Sequence, residues 1–499
     1  MAYVIGCDVG SQSLKGILVD GNGEIVTQAS APYDLHYPHS GWADQDPDDW
    51  LRALREVVAR LLDEQGIVAG EVGTLGLASQ VDGVVAVGHE GTHLRPAIVW
   101  MDLRAEAQTM ALGERIAEQR IFEITGLNLD STHVAPKMLW MRDEEPEAYE
   151  AAEAFLLPGS YVVFRLTGER AVDYSNASST MLYDVREKGW SEEMLAAAEV
   201  DQGLLGRVVA AEEVAGTVTQ DAAQQIGLEP GTRVVAGCGD EHGACLGAGL
   251  VTSDRICDIT GTAEPVAVAA PEPVFDETGL VETHAHADSR LWLIENPGFV
   301  SGGSVRWYAD NIARVSNYEE MTSEAEEIQP GSEGLIFLPC LSGAMTPTWN
   351  GNARGVFFGL SMKHGQSHLN RAVLEGCAYG LRDIVDRFEA LGLGGDEVRV
   401  VGGGAKSALW CQIKADVTGR VLRTLNNPEA TATGAAMLAG VAEGTYASLD
   451  DAAERLVEFG ATYEPRTDTK NVYDESYGLY RKLYAALESV FDERSRTLA

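Results

Sequence analysis

Short apolar runs broken by glycine- and serine-rich turns set the pattern at the start of the chain. Tyr3, Val4 and Ile5 lead into Asp8, Gly10, Ser11, Gln12, Ser13 and Lys15, and Ile17, Leu18 and Val19 follow. Two β-rich runs around a small-residue turn predict a hairpin, with strands at 3–7 and 16–20. Further strand-like runs at 25–28, 73–78, 84–87 and 97–100 alternate with helical stretches at 48–65 and 102–119. The first of these helices has apolar residues at Trp50, Leu51, Leu54, Val57, Val58, Leu61 and Leu62, the period of one buried face. The pattern predicts a mixed sheet with crossover helices. The acidic stretches 143–153 and 212–230 read as surface connections.

A second strand–turn–strand unit follows at 255–268, with Gly261, Thr262 and Ala263 at its turn. Its likeness to the first hairpin predicts two similar α/β domains facing each other across a cleft. The boundary falls in 246–254, giving an N-terminal unit 1–248 and a C-terminal unit 249–499. Residues 369–386 read as a long helix, and 398–404 as a buried strand ending in Gly402, Gly403 and Gly404. A helix over 408–418 follows.

Composition narrows the class. A chain of 499 residues with 45% apolar residues and 54 glycines exceeds what one core usually serves. No apolar run is long enough to span a membrane, and the chain enters a strand without a signal peptide, so a cytoplasmic location is expected. The seven cysteines are odd in number and scattered, which favours free thiols over disulfides or zinc. The formal charge of −39, with 37 basic against 76 acidic residues, disfavours nucleic acid and anionic membrane as partners. It reads as a solvated acidic surface suited to a salty interior, where screening weakens self-repulsion.

Four segments carry candidate chemistry. The 10–15 turn offers free N–H groups, hydroxyls and a lysine to a phosphate, and Asp8 before it suits a hydrated Mg²⁺. An ordinary surface hairpin would show the same residues, and the spacing matches neither a P-loop nor GxGxxG. In VVAGCGDEHGACLGAG, 234–249, Asp240 stands between glycines at a strand end, where it could take a proton from an attacking alcohol or merely cap the next helix. His242 beside it reads as a packing residue. Gly402, Gly403 and Gly404, with Lys406 behind them, form a turn that a ring or phosphate can approach closely, or one needed only for packing. Gln80, Val81 and Asp82 in SQVDG, with Asp102 and Arg104 in WMDLR, set polar groups at strand ends that suit sugar hydroxyls, and Trp42 could cover a sugar face or belong to the core.

Together these segments resemble the FGGY carbohydrate kinases of the actin-like ATPase superfamily. The likeness runs through CDVGSQSLKG (7–16), GWADQDPDDW (41–50), LRPAIVWMDLR (94–104), APKMLWMRDEEPE (135–147) and LLPGSYVVFRLTGE (156–169). It continues in GCGDEHGA (237–244), ITGTAEPV (259–266), LPCLSGAMTP (338–347), GVFFGL (355–360), HLNRAVLEG (368–376) and VVGGGAKSALW (400–410). Layout and loops are most similar to the xylulokinase branch.

The resemblance implies two actin-like, ribonuclease H-like domains flanking a deep catalytic cleft. It implies ATP and Mg²⁺ as cofactors and a small sugar as the other partner, and it leaves a homodimer open. By position, Asp8 would hold Mg²⁺. Gly10, Ser11, Gln12, Ser13 and Lys15, with Gly261 and Thr262, would hold the phosphates. Gly402, Gly403, Gly404 and Lys406 would meet the adenosine. Gln80, Val81, Asp82 and Asp102 would contact the sugar, with Asp240 as general base.

Three departures stand out. Val81-Asp82 replaces the branch's usual Met-His, Ala344-Met345 its Glu-Arg, and Glu264 its glycine. An acceptor at 82 in place of a donor favours a differently arranged hydroxyl. The expected substrate is thus a ketopentose such as D-xylulose, with another ketose or a polyol such as erythritol as the alternative. A non-catalytic actin-fold regulator is the competing class, and an intact Asp8, Lys15 and Asp240 argue against it.

Overall fold

In the computed structural model, which describes residues 2–315 and 317–498, the duplicated hairpins become two sheets that begin on the same meander and parallel neighbour. In the first, Tyr3–Val9, Ser13–Val19 and Ile25–Pro32 form an antiparallel meander. Val72–Ser79 pairs in parallel with the free edge of Tyr3–Val9, followed by Arg233–Val235 and Val214–Thr217. In the second, Arg255–Ile259, Glu264–Ala270 and Trp292–Phe299 repeat the meander. Glu397–Val401 again lies parallel beside the first strand, followed by Val421–Leu425 and Phe459–Tyr463. Parallel neighbours need crossovers, and the Pro47–Asp63 helix supplies one, burying Trp50, Leu54, Val57, Val58 and Leu61.

Some expected elements fall elsewhere. Val85–Val87 and Ala97–Ile98 do not join the main sheet; they pair with Ala154–Leu156 and Asp44–Gln45 in separate two-stranded ribbons. The helix expected at 102–119 breaks into Glu106–Arg115 and Glu118–Thr125. The 212–230 stretch is no mere surface connection. It holds the strand Val214–Thr217 and the helix Gln220–Ile226, whose Ala222, Ala223 and Ile226 are buried beneath a polar outer face. The 143–153 stretch ends the Val134–Glu144 helix and forms Pro146–Ala151, a short helix with no buried residue, as a surface segment should. All seven cysteines are free and buried, as their scatter suggested.

One helix comes from the second half of the chain yet rests on the first sheet. A Cβ on Gly6 or Gly76 would collide with the backbone of Ala430–Glu443, at Ala432 and Ala435. On its other side this helix meets Asp240–Gly247, where Gly434 faces the carbonyl of Gly243 and Gly247 faces that of Ala430. Backbone touches backbone, so no side chain can yield. Gly434→Ala should therefore cost about 1–3 kcal/mol by overpacking and lower the melting temperature. Gly478→Ala, in the Lys470–Leu498 helix with nothing within 4 Å, should raise stability by up to about 1 kcal/mol. Equal melting temperatures for the two variants would show that the paired helices part freely.

Candidate active site

Strand register brings the first candidates together. Ala78 has Asp8 beside it on one neighbouring strand and Cys238 on the other. Asp8 and the Asp240 that follows Gly239 therefore emerge at the same sheet end. Gly239, with no side chain to contribute, occupies the cap position, so Asp240 is the first residue inside its helix and not the cap. Its Oδ1 accepts the N–H of Glu241 at 3.0 Å, and the Gly239 N–H donates to Ser175 Oγ at 3.0 Å.

The 10–13 turn is held from three sides. The Tyr33 hydroxyl donates to the Gly10 carbonyl, Gln45 Nε2 to the Ser11 carbonyl, and Trp100 Nε1 to Ser11 Oγ at 2.9 Å. Lys15 is paired: its Nζ lies 2.9 Å from Glu429 Oε2, at the foot of the Ala430–Glu443 helix. Gln80 is buried, donates to Gln45 Oε1 at 2.7 Å and leaves its own Oε1 without a partner.

Asp82 has φ 55°, the left-handed conformation that Asp and Asn tolerate best among residues with a Cβ. Lys137 Nζ fixes it there, donating to the carbonyls of Asp82 at 2.7 Å, Val99 at 3.0 Å and Thr132. The Asp82 carboxylate lies 3.2 Å from His133 Nδ1. Burial opposes a charge on that imidazole, but Asp82 outweighs it and lifts His133 to about 9. Asp102 is committed elsewhere. Fully buried, it accepts the Ala43 N–H and holds the Arg104 guanidinium, with Arg104 Nη2 at 2.7 Å. Arg104 in turn covers the Trp42 ring at 4.1 Å, so both residues belong to a packed support and not to an open face.

In the second half, the Gly261–Thr262 turn and the 402–404 glycines lie against each other. The Thr260 N–H donates to Val401, the Gly404 N–H to Thr260, and the Gly303 N–H to Thr262, at 3.0, 3.2 and 2.9 Å. Gly402 has φ 86°, and a Cβ there would come within 2.7 Å of the Thr260 carbonyl. Lys406 is exposed at the edge of this loop.

Residues 3–247 match the N-terminal domain of the FGGY family of carbohydrate kinases, and residues 259–443 match its C-terminal domain. The chain belongs to that family. It is 32% identical to a xylulose kinase of Escherichia coli (strain K12), over 97% of this chain and 99% of the other. It is 27% identical to a gluconokinase of Bacillus subtilis (strain 168), over 99% and 97%. The crystal structure of a xylulose kinase from Rhodospirillum rubrum superposes with a TM-score of 0.91 at 29% identity, covering 98% of this chain and all of that one.

Sequence reasoning missed one part of this FGGY kinase, a cluster of buried acids and histidines behind Asp82 and Asp240. Burial, with the neighbouring Glu295 adding to it, pushes the Glu241 carboxyl well up. Glu295 Oε1 is 3.1 Å from His284 Nε2, and Glu282 Oε1 accepts the Asn128 N–H at 2.7 Å. The signal was present: ETHA and WLIEN put polar residues on buried strands, which is costly without a purpose. His242 packs its ring against His284 and His286 at 5.8 and 6.4 Å, and burial holds its imidazole neutral, in keeping with a packing role.

Burial, with Asp240 adding to it, raises Asp8 to about 8, and burial with Asp82 raises Asp240 to about 7. Asp8 Oδ1 has no hydrogen-bond partner despite its burial, which suits a carboxylate that receives a cation.

The pH dependence follows from these shifts. An unfolded Asp titrates near 3.9, so between about 4 and about 8 the folded state binds more protons and loses stability as pH rises. Asp240→Asn removes one such group. In Mg²⁺-free buffer its melting temperature should exceed that of the wild type by a margin that grows from pH 5 to pH 8. A margin independent of pH would show that folding leaves the Asp240 carboxyl unshifted.

Proposed function

We propose that this kinase transfers the γ-phosphoryl group of ATP to a primary hydroxyl of a small neutral ketose, with D-xylulose as the first candidate. The observation that carries this reading is Asp240. It is a half-buried carboxyl at a strand end, raised to about 7, in the electrostatic range of both Asp82 and Asp8. The xylulose kinases among its relatives support the choice of sugar.

Asp240 accepts the proton of the attacking hydroxyl as the new O–P bond forms. The bond from the γ-phosphorus to its bridging oxygen breaks, and ADP leaves with that electron pair. A base near pKa 7 is matched to this transfer at neutral pH. Gln80 and Asp82 orient the sugar hydroxyls, and the fixed backbone at 82 keeps that acceptor preorganised. Asp8 would hold Mg²⁺, which supplies neutralisation of phosphate charge when bound. The 10–13 turn and the Gly261–Thr262 turn face the phosphates from the two halves, and the 402–404 glycines leave room for the adenosine. We take 1–248 and 249–499 as the two units, joined through 246–254, and place the protein in the cytoplasm, where free thiols persist.

Asp82 favours a second sugar class. A carboxylate accepts from two hydroxyls, which keeps a polyol such as erythritol in play. Gluconate fits less well. Asp82, Asp240, Glu241, Glu282 and Glu295 crowd one buried region, and a substrate carboxylate there would meet like charge.

Asp240→Asn should lower kcat by about 10²–10⁴ with KM for the sugar nearly unchanged. Turnover near the wild-type rate would remove the base assignment. A second variant tests the sugar contact. Asp82→Asn keeps the left-handed backbone and removes a charge-assisted acceptor worth roughly 1.5–3 kcal/mol. It should raise KM for the sugar about tenfold to a hundredfold and spare KM for ATP. ADP release is to be screened over D-xylulose, other ketoses, C3–C5 polyols and gluconate. Gluconate as the best substrate would sink the reading of a neutral sugar.

A further inference from the structure

Glu264, the residue that departs from the family's usual glycine, does not stand alone. Lys414 Nζ lies 2.9 Å from Glu264 Oε1 and 2.7 Å from Asp258 Oδ2, and it donates to Thr260 Oγ1 at 2.5 Å. All four residues are at most 1% exposed. Asp258 belongs to the strand before the Gly261–Thr262 turn, Thr260 to the turn and Glu264 to the strand after it. Lys414 comes from the Ala408–Thr418 helix, which follows the 402–404 glycines.

One ammonium thus ties both sides of the phosphate turn to the helix behind the adenosine loop. Beside this turn, the Gly302–Gly303 backbone packs on Gly261 and Thr262. Thr260 is the joint. Its N–H and carbonyl pair with Val401 and Gly404, and its side chain fills the space a Cβ on Gly404 would need.

We propose that Lys414 and Glu264 are positioning residues for nucleotide binding: they touch no nucleotide, but set the distance between the phosphate turn and the adenosine loop through Thr260. The proposal rests on the nucleotide reading given above. A purely structural ion pair would hold the second half together without favouring either substrate. The arrangement on Thr260 instead ties Lys414 to the two loops that read ATP, and nothing in the network reaches Asp82 or Gln80.

Removing Lys414 alone would strand two buried carboxylates, so two variants are needed. Thr260→Val deletes the tether and leaves the charges paired. Asp258→Asn/Glu264→Gln/Lys414→Met removes all the charges at nearly constant volume. Binding of a fluorescent ADP analogue, KM for ATP, KM for the sugar and melting temperature are to be measured on each. The expected result is an ADP-analogue Kd and a KM for ATP raised about tenfold, as for a lost hydrogen bond to a charged group, with KM for the sugar within about twofold. Thr260→Val should melt within a few degrees of the wild type; should the triple variant not fold, Thr260→Val alone decides. Nucleotide binding at wild-type strength in the folded variants would overturn the proposal, as would equal losses for both substrates. A wild-type protein that binds the analogue only as weakly as a Gly402→Val control would overturn the nucleotide reading along with it.

Discussion

Two helices, Asp240–Gly247 and Ala430–Glu443, meet through their backbones, and most of the candidate site hangs on that contact. Gly243, Gly247 and Gly434 are the reason it exists, since each would drive a Cβ into, or hard against, the facing chain. The first helix opens with Asp240, and the second has Glu429 at its foot, paired with Lys15 of the first hairpin. The second helix also lies flat on the first sheet, at Gly6 and Gly76, so the strand that ends in Asp8 is referenced to the same surface. Asp240, Asp8 and Lys15 thus share one rigid reference. Packing this close tolerates no added methyl group.

Charge follows a different logic in the interior than over the whole chain. The formal charge of −39 belongs mostly to solvated side chains, yet a second population of acids is buried around Asp82 and Asp240. There burial and mutual repulsion push Asp8, Asp240, Glu282 and Glu295 up to about 7 or 8. Carboxyls near neutrality exchange protons at working pH, which a base requires and a structural ion pair does not. Lys414 shows the contrast: with Asp258 and Glu264 beside it, its ammonium stays charged despite burial.

The duplicated hairpins, the two-sheet class and the glycine turns were legible in the sequence because each depends on local spacing. The Asp240 assignment was legible as a residue but open in role. Only the structure shows that Gly239 takes the cap position and that the register sets Asp240 near Asp8. Asp102 misled because a polar residue after a strand looks available, whereas Arg104 two positions on folds back onto it. The acid–histidine cluster stayed hidden because its members lie far apart in sequence, and only the second sheet's edge strands carry Glu282, His284 and Glu295 to Glu241. Glu264 was legible as an anomaly, while its partner Lys414 is 150 residues away.

The two halves are therefore joined across the cleft by contacts of unequal cost. Behind Asp240, the buried Glu282 accepts the Asn128 N–H at 2.7 Å, one residue from each half. Separating such groups leaves polar atoms unpaired, and the penalty is about 1–3 kcal/mol for each. The exposed counterpart is Lys15 with Glu429, whose side chains are 41% and 23% exposed. A pair so open to water is worth about 0–1 kcal/mol. Glu429 nevertheless moves with the first sheet, because the Ala430–Glu443 helix it precedes packs backbone to backbone on Gly6 and Gly76, so this link is a surface pair on one rigid body and not a seam along which the halves part.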